Sequence, residues 1–340
     1  MGGELAGAGL RRSTALLNVG AMMSRIFLTA ALLLGGAAPA RAWGKLGHEA
    51  IGTLATDLLR EKTRLRVKKI LGADDLADAA TWLDEVRAAE RGKGPLVGNA
   101  EAAAFAKKFP EHHKWHFVNL PLGTAAYVRT SRFASEDDVV HALDSAIAVL
   151  EGRSRKFPPA QALRIVAHLV GDLHQPLHVG TGFFDVHQPA APRLLTDPGT
   201  VAGKPDDLGG NKIQLGHTSF ETLHAYWDAT LVEAAGSTGN AAKLAARLRP
   251  LVSAAKWATP GDRRAWPELW ATDSLRQAEL AYRGIAFTGA KLSEKKSLEV
   301  IEAKLPADYE KTQRARAAAQ LAKAAFHLAE LLNALDWKTP

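Results

Sequence analysis

The chain has 340 residues and no cysteine. Disulfides, cysteine-based zinc sites, iron–sulfur clusters and thiol nucleophiles are therefore excluded. Any metal must be held by His, Asp, Glu or backbone groups. No apolar stretch reaches the roughly 20 residues that a helix needs to span a bilayer. No lysine- and arginine-rich tract marks a polybasic arm. The alternating β-branched runs of strands are scarce. Aromatics make up 7% of the chain, hydrophobic residues 47% and charged residues 23%. That is an ordinary globular composition, which excludes wholesale disorder, collagen and coiled coil.

The formal net charge is +7. Residues 1–42 hold Arg11, Arg12, Arg25 and Arg41 against Glu4 alone, so three of those positive charges sit there and four in the rest. So mild an excess says little about nucleic acid. The same segment reads as an export signal. Arg25 precedes the apolar run from Ile26 to Leu34, and Ala40-Arg41-Ala42 is a small-residue cleavage site. Met22 and Met23 are alternative starts, which would make 1–21 an upstream extension. Cleavage exposes Trp43 as the first residue of a mature chain, 43–340, that is exported to the periplasm or secreted. No membrane contact after cleavage and no obligatory protein partner are expected.

From Trp43 onward the pattern is helical. Amphipathic periodicity predicts helices near 47–71, 74–91, 135–152, 159–175, 219–235, 239–254, 271–284 and 309–335. Ser135 with Asp138 resembles a capping box for the third, and Pro158-Pro159 suits the start of the fourth. The fold class is all-α, one domain from 43 to about 337. Segments 92–114 and 180–218 read as loops. The second is long for a compact domain, and long ordered loops are usually functional.

There are twelve histidines, and their placement carries the chemistry. His168 and Asp172 stand four apart, one turn apart on one helix face. His224 and Asp228 repeat the pattern. Two helices that each offer a His/Asp pair can hold a metal between them, and imidazole with carboxylate suits zinc or another divalent transition metal. Pro176 lacks an N–H and should end or kink the helix near Asp172. His178 follows His168 by ten residues, about 15 Å on a straight helix. Either the two serve different ions or one is structural, and Asp172 between them has two oxygens with which to bridge. His174 reads as a supporting or core residue. His112, His113, His141, His187, His217 and His327 show no partner pattern and read as surface or packing residues.

Taken in order, these pieces resemble the S1/P1 nucleases, a family related to the zinc phospholipases C. The resemblance rests on Trp43-Gly-Lys-Leu-Gly-His48, Trp82-Leu-Asp84, His116-Phe117-Val-Asn119, His168-Leu-Val-Gly-Asp172-Leu-His174-Gln-Pro-Leu-His178, Asp207-Leu-Gly-Gly-Asn211 and Leu223-His224-Ala-Tyr-Trp-Asp228. It covers nearly the whole mature chain. It implies a mainly helical enzyme of the phospholipase C/P1 nuclease type with three Zn2+ in one cleft. Asp84, His116, His168 and Asp172 would hold the first ion. His178, His224 and Asp228 would hold the second. The α-amino and carbonyl groups of Trp43, with His48 and the other oxygen of Asp172, would hold the third. Asp84 and Asp172 would thereby take part in catalysis with a zinc-activated water. Phe117 matches a nucleobase-binding position, and Asn211 lies in a motif beside the site.

The activity implied is endonucleolytic hydrolysis of single-stranded DNA and RNA to 5′-phosphate products, with 3′-nucleotidase activity as a possible addition. Two departures stand out. Asn119 stands where many relatives have an acidic residue, and the loop 180–206 is unusually long. A zinc phospholipase C and a non-catalytic zinc-binding protein are the competing readings.

Overall fold

The computed structural model describes residues 43–216, 221–236, 239–295 and 297–338. The predicted leader, 1–42, lies outside them, as does His217. The described residues are mainly helical: α1 (Gly44–Leu58), α2 (Glu61–Leu71), α3 (Leu76–Glu90), α4 (Ala100–Lys108), α5 (Val139–Leu150), α6 (Pro159–Leu173), α7 (Leu223–Ala225), α8 (Leu231–Ala234), α9 (Ala241–Leu248), α10 (Ala254–Trp257), α11 (Trp266–Tyr282) and α12 (Tyr309–Ala334). No helix among them is long and apolar enough to cross a membrane.

Helix α6 lies at the centre, packed against α3, α5 and α12, and α1 bridges α3 and α12. Its sequence explains the position. From Gln161 to Leu173 every residue except Arg164 is buried, as expected of a helix that is apolar all round. Arg164 snorkels outward to Asp74 (2.6 Å) and Glu101 (3.1 Å). His168 and Asp172 thus enter the core on this helix, where polar groups are costly unless something answers them. The C-terminal carbonyls of α6 are answered one by one: Trp43 Nε1 donates to Gly171 O, Ser274 Oγ to Leu173 O and Gln320 Nε2 to His174 O. These bonds pin α1, α11 and α12 to the end of the helix that carries Asp172.

Among the described residues, seven short strands depart from the all-α expectation, although the fold stays mainly helical. β1 (Leu120–Pro121) pairs in parallel with β2 (Gly180–Thr181), and β3 (Phe183–Asp185) pairs with β4 (Arg193–Leu195). β5 (Ile213–Leu215) lies beside β7 (Leu298–Lys304), which forms a hairpin with β6 (Ala286–Leu292). Residues 180–216 of the predicted loop 180–218 are therefore structured; the rest lies outside the described residues. Phe183, Leu195 and Val201 form a small satellite core against Phe133. The predicted loop 92–114 contains α4, which Asn99 caps by accepting from Ala102 N.

Two more expectations need correction. The single helix predicted at 47–71 is α1 and α2, broken at Leu59-Arg60. Asn333 bridges the break: its Oδ1 accepts from Arg60 N (2.9 Å), and its Nδ2 donates to Leu58 O (3.3 Å). The cap of α5 is Asp138 rather than Ser135; its carboxylate accepts from Val140 N and His141 N. Pro176 behaves as expected. α6 stops at Leu173, and Pro176 opens a single 3-10 turn to His178.

Candidate metal centre

Three groups of His and Asp side chains converge: His48, Asp84 and His168; His116, His168 and Asp172; His178, His224 and Asp228. All eight side chains named from the sequence as metal ligands are in these groups. Within each group the ligating atoms lie within 4.8 Å of one another.

Local structure sets each position. The turn after α6 redirects the chain, so His178 lies beside the histidines of other elements instead of ten residues along a straight helix. The β1–β2 pairing draws 116–121 alongside 178–181: Val118 N donates to His178 O and His178 Nδ1 to His116 O (2.7 Å). His48 stacks on His168 with ring centroids 4.2 Å apart. It can do so because Gly171 has no side chain; a Cβ there would lie 2.9 Å from the His48 ring. Asp228 sits in a π-helical stretch, Tyr226–Thr230, between α7 and α8. Such bulges recur at functional sites.

The hydrogen bonds leave particular atoms unanswered. Nδ1 of His168 donates to Ala80 O (2.6 Å), and Nδ1 of His224 to Gly209 O (2.6 Å). With His178 that makes three rings whose Nδ1–H is taken by a carbonyl, which leaves the Nε2 lone pair for a ligand. His178 Nε2, His224 Nε2, Asp172 Oδ1 and Asp228 Oδ2 are buried without a hydrogen-bond partner, as are both nitrogens of His48 and Nε2 of His116. His116 Nδ1 lies 2.9 Å from both His168 Nε2 and Asp172 Oδ2. Unpaired buried polar atoms are rare and costly. Here they cluster where the ligand sets converge, and a divalent cation would satisfy them.

The electrostatics agree. Burial pushes Asp172 up, but the His168 charge and hydrogen bonds from His116 and His168 outweigh it and hold the carboxyl well below its usual range. Burial lowers His168, yet the Asp172 and Asp84 carboxylates win and raise it to about 9. Burial, helped by Arg87, drives His116 down to about 3. The pocket favours carboxylate anions with positive charge beside them.

Trp43 is fully buried and caps α1 in the left-handed region at φ 39°. Its carbonyl accepts from Gly47 N (3.0 Å). Phe117, 36% exposed, lines a cavity of about 270 Å³ that His116, His178 and His224 reach. Arg87, Arg91, Asn119, Leu208 and Asn211 line it too. Asn211 Nδ2 donates to Leu208 O (2.8 Å) and so braces the turn. None of residues 182–206 lines this cavity.

Sequence reasoning missed several supports. Asp207, fully buried, accepts from Thr181 Oγ1, Gly182 N, Gly210 N and Tyr282 Oη, which anchors the 207–211 turn under His224. Burial pushes its carboxyl up to about 6 against those donors. Leu208, in the same turn, is non-glycine at φ 55° and 46% exposed at the cavity. Gln175 Nε2 donates to Asp228 Oδ1 (2.7 Å) and its Oε1 accepts from Leu177 N. His327 has a partner after all: its Nδ1 lies 2.6 Å from His174 Nε2, deep in the core. His112 is buried packing and contacts Glu90.

Gly209 is the tightest point of the turn. It sits at φ 61°, and a Cβ would fall 2.1 Å from Leu177 O. Gly209→Ala should destabilise the protein by about 2–3 kcal/mol, as backbone strain and overpacking do. A thermal melt measures it.

The model of the S1/P1 Nuclease family matches residues 43–336. The chain belongs to the S1/P1 nuclease family. Relatives include Endonuclease 2 of Arabidopsis thaliana, 24% identical over 263 residues that cover 72% of this chain and 78% of the relative. Endonuclease 4 of the same plant is 29% identical over 209 residues, 58% of this chain and 57% of its own. Nuclease S1 of Aspergillus oryzae is 26% identical over 220 residues, 63% and 62% respectively. This S1/P1 nuclease is a hydrolase of phosphodiester bonds, and its substrate is nucleic acid.

Proposed function

We propose that this S1/P1 nuclease is an exported, zinc-dependent endonuclease that cleaves single-stranded DNA and RNA to leave 5′ phosphates. The observation that carries the reading is the set of buried, unpartnered His and Asp atoms around Asp172. The donor chemistry suits zinc, and we assign three ions. Asp84, His116, His168 and Asp172 would hold one, and His178, His224 and Asp228 a second. Asp172, His48 and the Trp43 main chain would hold the third. Zinc, when bound, supplies Lewis acidity that acidifies water and neutralises phosphoryl charge.

The chain's own residues do the rest. Asp172 offers an oxygen to each side, so it ties two ligand sets into one centre. Arg87, 3.4 Å from Asp84 and lining the 270 Å³ cavity, brings positive charge to the phosphate. Phe117 and Leu208 present apolar faces to an unpaired base, and stacking on such a platform favours single strands. Gln175 holds one oxygen of Asp228 and so aims the other at the metal. Gln175→Leu should weaken zinc binding by about 10–100-fold, the usual cost of losing such a support; competition with a chelator of known affinity measures it.

The deciding experiment combines metal analysis of the mature protein with hydrolysis of single-stranded DNA, single-stranded RNA and phosphatidylcholine. Zinc with nucleic-acid cleavage supports the proposal. Zinc with phosphatidylcholine cleavage alone makes the protein a phospholipase, and zinc without turnover makes it a binding protein.

The N-terminus has its own test. An α-amine has a reference pKa near 8 and ligates zinc once deprotonated, whereas an amide nitrogen is delocalised into its peptide bond. Mature protein starting at Trp43 should bind one more zinc than a form with a short uncleavable extension. Equal zinc and equal nuclease activity in both would show that the amine is dispensable.

A further inference from the structure

A second, smaller cavity of about 160 Å³ reaches the metal centre, and it shares no lining residue with the cavity of Phe117. His48 and Asp84 line it, with Ala88, Gly94 and Pro95. Both nitrogens of His48 are buried without a hydrogen bond, Nε2 lying 3.4 Å from Asp172 Oδ1, and the residue is 1% exposed. The charges at the two mouths differ in sign. The Phe117 cavity carries Arg87 and Arg91. The smaller cavity carries Glu85 and Lys45, and Lys45 Nζ is shared between Glu85 (3.1 Å) and Glu49 (3.3 Å). The lining itself sets one cation, Lys45, against two carboxylates, Glu85 and Asp84, which leaves the cavity acidic.

We propose that this acidic cavity is the port through which a divalent metal ion reaches the centre after the chain has folded, with Glu85 drawing the ion in and Lys45 moderating its entry. The inference rests on the zinc reading above. An acidic funnel concentrates cations as a basic one concentrates phosphates, and such fields change association rates by about 10–10³. The arginine-bearing cavity would repel the ion and suits the phosphodiester instead. Asp84 and Glu85 are adjacent on α3, and both line the cavity wall. An ion held at Glu85 therefore stands next to its first permanent ligand. Thr81 Oγ1 donates to Glu85 Oε1 (3.2 Å) and holds the carboxylate in place.

The test is the rate at which chelator-stripped mature protein takes up Zn2+, followed with a fluorescent zinc indicator at low ionic strength. Glu85→Gln keeps the size of the side chain and should slow uptake about tenfold; Lys45→Met should speed it by a similar factor. Both differences should shrink in 1 M salt, where charges are screened within about 3 Å. Final zinc per chain should match the parent in both variants, and melts of the stripped proteins check their folding. Arg91→Gln, at the other mouth, should leave the rate unchanged. Equal rates in Glu85→Gln and parent, or faster uptake in Arg91→Gln, would overturn the port while leaving the zinc centre standing. Failure of the parent itself to bind zinc would overturn both.

Discussion

Asp172→Asn should abolish nuclease turnover and strip the centre of most of its zinc. Asp172 is fully buried and touches more of the site than any other side chain. Its Oδ2 lies 2.9 Å from His116 Nδ1 and 3.1 Å from His168 Nε2; its Oδ1 lies 3.4 Å from His48 Nε2 and 3.8 Å from His178 Nδ1. The substitution is isosteric, so packing survives. It removes the charge and turns one acceptor into a donor aimed among imidazole nitrogens. Breaking a buried charge network by removing one partner costs about 3–5 kcal/mol, which is roughly 10²–10⁴ in affinity. Dialysed protein should show the zinc loss by elemental analysis, and turnover of single-stranded DNA should fall with it. His174→Ala makes the comparison sharp. His174 bonds Val170 O and His327, not the cluster, so its loss should lower the melting temperature and spare the zinc. Full zinc and near-normal turnover in Asp172→Asn would remove Asp172 from the bridging role.

What the sequence made legible follows from which relationships are local. His168 with Asp172 and His224 with Asp228 were readable because helical spacing alone puts each pair on one face. The end of α6 was readable because proline has a fixed chemical meaning. The break between α1 and α2 was not. It has no glycine or proline, and the groups that stabilise it come from Asn333, at the far end of the chain. The work of Asp207 was hidden for the same reason: its donors come from residues 181, 182, 210 and 282. His327 looked partnerless because His174 is 153 residues away. The β6–β7 hairpin was missed because its burial is only weakly alternating, with β6 largely exposed or half-buried. α4 could have been found: Asn99 ahead of an alanine-rich run is a legitimate helix start, outweighed by the glycines and proline before it.

Removing the metal should cost stability as well as activity. The proposed ligands are drawn from α1, α3, the segment before β1, α6, the turn after it and the α7–α8 stretch. No disulfide joins these pieces, because the chain has no cysteine. Each buried polar atom left unpaired costs about 1–3 kcal/mol, and several are uncovered together when the ion leaves. Some of that cost is recovered where imidazoles and carboxylates pair among themselves, as His168 and Asp172 can at 3.1 Å. A net loss of about 5 kcal/mol is then expected, and at roughly 2 °C per kcal/mol for a domain of this size the melting temperature should fall by about 10 °C. The same linkage requires added zinc to restore the melting temperature in proportion to the logarithm of its free concentration. Calorimetry of the mature protein, with and without a strong chelator and with metal content measured in the same samples, reads both effects. A melting temperature that stays put while the zinc is gone would mean that the core tolerates the unpaired ligands, and the metal would then be catalytic only.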